Sequence, residues 1–138
     1  MASHTYQQFQ YGLEKFPVTL YANIPVAASG AVGVLAPTKN QGIYSVTRSS
    51  AGVYVVTFGV LSQVQVDKYV RLIDASAVLL NATASGLRFE VVSDDTAAGS
   101  ITVRFVGPTS ASDTTPIAVD PPSGAVILMK MVLKNSSV

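Results

Sequence analysis

The side chains able to do chemistry are few in this chain of 138 residues, and their spacing does not gather them. There is one histidine, His4, and no cysteine. A histidine serving as base or metal ligand needs a held position and a partner. His4, close to the N-terminus, shows neither, and one histidine cannot supply a histidine-based triad or a metal-binding cluster. The absence of cysteine excludes disulfides, thiolate catalysis and cysteine zinc sites. The carboxylates are Glu14, Asp67, Asp74, Glu90, Asp94, Asp95, Asp113 and Asp120. Paired acids can hydrolyse glycosides or bind a cation. Only Asp94 and Asp95 are adjacent, and they fall in a predicted turn, where aspartate accepts bonds from local amides. Ser29-Gly30-Ala31-Val32-Gly33 is glycine-rich, yet it has no lysine and no helix behind it, so it reads as a turn and not as a phosphate loop. The aromatics do not interleave with Arg or Lys as in a base-stacking sheet; Tyr44, Tyr54 and Phe58 fall in one predicted hairpin and are assigned to its core. The expectation is no catalytic residue, no metal, no cofactor and no enzyme activity.

The elements that would position any site are strands. Val and Thr are abundant, turn residues recur at short intervals, and no window carries a helical stripe with caps. The predicted strands are Val18–Asn23, Ala31–Leu35, Gly42–Arg48, Val53–Phe58, Val70–Asn81 with a bend near Asp74-Ala75-Ser76, Leu87–Ser93, Ser100–Val106 and Gly124–Lys134. Hairpins are expected around Ser49–Gly52 and Asp94–Gly99. Residues 107–123, with four prolines, form a long loop. Alternation is clearest late in the chain. It puts Phe89, Val91, Ile101, Val103, Phe105, Met129 and Met131 in the core and Lys130 and Lys134 outside. It also sets Glu90 opposite Arg104 on a wet face. About eight such strands predict an all-β antiparallel sandwich of jelly-roll type over residues 17–138, preceded by an extended N-terminal arm, residues 1–16.

Composition agrees with a folded domain: 49% of residues are apolar, 12% are charged, and the net charge is +1. With no basic run there is no expected nucleic-acid partner. The longest apolar stretch, Ala125 to Leu133, is too short to span a bilayer and holds Lys130, so no membrane partner is expected. The N-terminus has no basic region followed by an apolar one, so no secretory signal is expected. Two features suit protein contact. The arm is polar but carries Tyr6, Phe9, Tyr11 and Phe16. The segment from Asp67 to Leu72 alternates acid and base, so Asp67, Lys68 and Arg71 would form a polar contact rim.

In order along the chain, Pro17-Val18-Thr19-Leu20-Tyr21-Ala22-Asn23-Ile24-Pro25, Ser29 to Gly33, Pro37-Thr38-Lys39-Asn40-Gln41-Gly42-Ile43, Ser45-Val46-Thr47-Arg48, Gly52-Val53-Tyr54, Asp67-Lys68-Tyr69-Val70-Arg71-Leu72, Asp120-Pro121 and Leu133-Lys134-Asn135-Ser136-Ser137 resemble the jelly-roll cement, or decoration, proteins of tailed double-stranded DNA bacteriophages. The resemblance covers most of residues 17–138 and leaves the arm outside. It implies a structural virion protein made in the host cytoplasm and placed on the capsid exterior, where it binds the major capsid protein. A symmetric homo-oligomer is expected there, a dimer before a trimer, with no small-molecule substrate. Competing readings are a head fibre base or tail adaptor, a carbohydrate-binding adhesion module, which would want aromatic platforms and a calcium site, and a cupin-like enzyme, which would want a histidine cluster.

Overall fold

In the computed structural model, which describes residues 17–58, 69–82, 86–108 and 115–135, the chain forms an antiparallel β-sandwich of eight strands. These are β1 (Pro17–Pro25), β2 (Ile43–Ser50), β3 (Val53–Phe58), β4 (Tyr69–Leu80), β5 (Arg88–Asp95), β6 (Ser100–Gly107), β7 (Ile117–Ala118) and β8 (Val126–Asn135). A small sheet has the order β1-β8-β4; a larger one has the order β2-β3-β6-β5, with β7 paired to β6. First and last strands therefore lie side by side, and the chain crosses between sheets four times. The larger sheet is two local hairpins, β2–β3 and β5–β6, joined along β3 and β6.

The period-2 pattern of β8 organises the small sheet. Ile127, Met129, Met131 and Leu133 point inward and are buried, while Lys130 and Lys134 point out. In antiparallel register the facing residues share a side. Leu20, Ala22 and Ile24 of β1 meet Met131, Met129 and Ile127 on one flank, and Ala75, Ala77 and Leu79 of β4 meet the same three on the other. The opposing sheet contributes Val46, Tyr54, Val56, Phe58, Ile101, Val103 and Phe105 to one continuous core. The Phe105 ring lies between Tyr54, edge-on at 6.2 Å, and Phe89, tilted at 5.7 Å. Burying each such side chain contributes about 1.5–3 kcal/mol.

Four expectations need correction. Residues 107–123 are not loop throughout, because Ile117 and Ala118 pair with Gly107 and Val106 as β7. Ala31–Leu35 is not a strand; it makes a single bridge, Val26 to Val32, and Gly33 donates to the Pro25 carbonyl at 2.8 Å. Positive φ at Ser29 and Gly30 turns the chain out of any sheet direction, and Val34 ends up 92% exposed. Val91 faces the same side as Val103 but is 39% exposed, because β5 is an edge strand and a bulge between Val91 and Ser93 turns it outward. Tyr44, unlike Tyr54 and Phe58, is exposed. The expected bend in β4 takes the form of two irregularities, at Tyr69/Arg71 and Leu72/Asp74.

Candidate contact surface

Most titratable side chains with resolved partners serve the scaffold. Glu90 accepts from Arg104 Nε at 2.7 Å across the hairpin and from Arg88 at 2.9 Å, in the predicted register. These bonds, that of Arg104 first, hold its carboxyl below the usual range. Burial works to raise the Asp94 carboxyl, but bonds from the Thr96 hydroxyl, the Leu72 amide at 3.0 Å and the Thr96 amide outweigh it, with help from the charge of Arg71. Asp94 thus caps a turn and ties β4 to the β5–β6 connection, while Asp95 accepts from the Ser93 hydroxyl at 2.8 Å. Among the described residues, no three His, Cys, Asp or Glu side chains converge as a metal site would require.

Asp120 closes one end of the sandwich. It takes a two-pronged bond from Arg48, Nε at 2.9 Å and Nη2 at 2.7 Å, and a third from the Gly52 amide at 2.7 Å. It also sits where a Cβ on Gly30 would be. Beside it Tyr54, fully buried, donates to the Gly30 carbonyl at 2.8 Å, and burial pushes its hydroxyl up to about 12. The Arg48 bond holds the Asp120 carboxyl below its ordinary 3.8, with Gly52 assisting. A depressed carboxyl stabilises the fold fully above its unfolded value and loses that contribution as pH falls through the folded one. We therefore expect the stability gap between the native chain and Asp120→Asn to be constant near neutrality and to close below about pH 3.8. Chemical denaturation across that range checks it; a gap that persists in acid would mean that the charge of Asp120 is not what holds this end.

The opposite features lie on the small sheet and its open side. Its outer face carries Tyr21, Lys130 and Ser76 in one row, Asn23, Leu128 and Val78 in the next, and Pro25, Val126 and Leu80 in the last. Tyr21 is 61% and Val78 63% exposed. With Lys39 the first two of these rows border a shallow depression of about 380 Å³. A second opening, of about 290 Å³, lies between β4 and β5 and is lined by Ala77, Leu79, Ala82, Leu87, Phe89 and Phe105. Exposed Ile73, Val78, Leu80, Val91 and Val92 belong to these two edge strands; Tyr21, Val34, Tyr44 and Ile117 are exposed elsewhere.

Of the residues assigned to partner contact, Arg71 is exposed on β4, in the row of Lys134 and Pro17. Tyr6, Phe9, Tyr11, Phe16, Asp67 and Lys68 lie outside the described residues. Sequence reasoning passed over Tyr21, Leu128, Val78 and Leu80. The signal was Val78-Leu79-Leu80, where apolar residues occupy both faces of a strand that elsewhere alternates. Compared with protein-family models, curated proteins and solved structures, the chain matches none of them.

Proposed function

We propose that the chain is a structural virion protein that binds the outer surface of a phage capsid and cements contacts between major capsid proteins. The reading begins from the sequence resemblance. The observation that supports it is the outer face of the small sheet, where Tyr21, Val78, Leu80 and Leu128 lie around Lys130 of the central strand with Lys39 beside them, on a scaffold stiffened by the Asp120 junction. Such a face suits partner binding, with apolar side chains for contact and cations that set orientation. Protein that binds the assembled shell but not free subunits shifts the equilibrium toward the shell. The rim at Asp67, Lys68 and Arg71 sets orientation more than affinity, and the arm links the bound copy to its surroundings.

Purified full-length chain mixed with capsid shells is expected to co-sediment at near-stoichiometric amounts and to raise the shells' melting temperature. Val78→Lys with Leu128→Lys should weaken binding at least about tenfold, the loss of one well-packed contact. Charge reversal at Lys68 and Arg71 should act chiefly through salt dependence. Failure of the native chain to bind shells, or full binding by the double-lysine variant, would overturn the reading.

A further inference from the structure

Edge strands of natural sheets are normally protected by charge, proline, a bulge or a cover. β5 has Arg88, Glu90, Asp94, Asp95 and a bulge. The first half of β4 has Arg71, Asp74 and two bulges. From Ala75 to Leu80, β4 has none of these among the described residues: it is uncharged, in unbroken register with β8, and pairs with no other strand there. The groove beside it is left open on the β4 side because Ala77 is small, and is apolar on the far side through Leu87 and Phe89. An unprotected edge with a furrow next to it is a receptor for an extended segment, whose backbone would pair with β4 and whose alternate side chains would fill the furrow.

We infer that this groove receives the N-terminal arm of a neighbouring copy, with Phe9 and Tyr11 as its anchors; the inference rests on the cement reading, in which copies must be linked on a surface. Phe9 and Tyr11 are two apart, so an extended arm presents both on one face, with Gln10 between them on the other. An antiparallel alignment that sets Phe9 opposite Ala77 sets Tyr11 opposite Ala75, pairing large with small across the strands. Glu14 then comes alongside Arg71 and Leu72, so its charge meets Arg71. The arm has the length for this: sixteen residues reach roughly 50 Å when extended. It leaves Pro17 on β1, and β1 and β4 are opposite edges of the small sheet. The chain's own groove therefore lies on the far edge of the sheet from β1, whereas a neighbour that set its β4 edge beside this β1 edge would bring its groove next to the arm.

The test mixes full-length Phe9→Cys protein with full-length Ala77→Cys protein, each otherwise without cysteine, and treats the mixture with a short bis-maleimide in free solution and on shells. Cross-linked pairs of the two variants are expected, and excess synthetic peptide of residues 1–16 should suppress them. Tyr11→Cys with Ala75→Cys repeats the test should the first pair disturb folding. No mixed pair in either set, or efficient linkage within a single chain carrying Phe9→Cys and Ala77→Cys together, would overturn the inference. Shell binding is measured on the same samples. Binding without cross-linking removes the arm contact and leaves the cement reading standing; cross-linking without binding does the reverse.

Discussion

Phe105→Ala should lower the stability of the sandwich by about 3–5 kcal/mol, a large share of what a domain of this size possesses. Phe105 is 1% exposed, sits on β6 in the middle of the larger sheet, and touches rings on both sides, Tyr54 and Phe89. Removing it costs the transfer of the ring and the contacts its neighbours lose, because a sheet flanked by paired strands cannot collapse into the space. It also joins the vacated volume to the opening between β4 and β5, which Phe105 already lines. Urea unfolding should show a lower midpoint with an unchanged slope. Val91→Ala is the internal comparison. Val91 shares the inward side but lies on the edge strand, so it should cost less than about 1 kcal/mol. If the two substitutions cost the same, β5 and β6 do not sit as edge and centre.

That contrast also marks how far the sequence could be read. Strands β4, β5, β6 and β8, the β2–β3 and β5–β6 hairpins, the Glu90–Arg104 pairing and the inward face of β8 all follow from local signals: alternation, turn residues and charge placement. Which strand ends as an edge is not local. Val91 has the same alternation as Val103, and what exposes it is the bulge beside it and the lack of a paired strand on its outer side among the described residues. Ala31–Leu35 has strand-forming residues, but the left-handed Ser29 and Gly30 steer it away from any partner. The buried Asn40, which receives the Asn23 amide at 2.8 Å and donates to the Asn23 and Ala36 carbonyls at 3.0 Å, had no sequence signal as a brace of β1. The Arg48–Asp120 pair spans 72 positions and is visible only once the loop is folded back. The contact surface was half-legible. The run Val78-Leu79-Leu80 announced two apolar faces, while the rows that join Val78 to Leu128 depend on the β4–β8 register.

Gly52→Ala should destabilise the fold by about 2–5 kcal/mol, from two separate causes. Gly52 has φ +69°, a left-handed conformation that costs a residue with a Cβ about 1–2 kcal/mol. A Cβ there would also stand 2.6 Å from the Val119 nitrogen, 2.7 Å from its oxygen and 2.9 Å from the Phe105 oxygen. All three are backbone atoms, and the Val119 nitrogen and Phe105 oxygen are bonded to each other, so relief requires that contact to part, and overpacking of this kind costs about 1–3 kcal/mol more. Three bonds meet at the point that would have to open: Gly52 N–H to Asp120 at 2.7 Å, Phe105 N–H to the Gly52 carbonyl at 2.9 Å, and Val119 N–H to the Phe105 carbonyl at 2.9 Å. Gly124→Ala separates the causes. Gly124 has φ +89° with nothing within 4 Å of the place its Cβ would take, so it carries the conformational cost alone. Denaturation midpoints should place Gly52→Ala well below Gly124→Ala, and equal midpoints would mean that the crossing at Val119 is loose. Gly52→Ala and Asp120→Asn should also combine to less than their sum, since both open the same junction and its bonds can be lost only once.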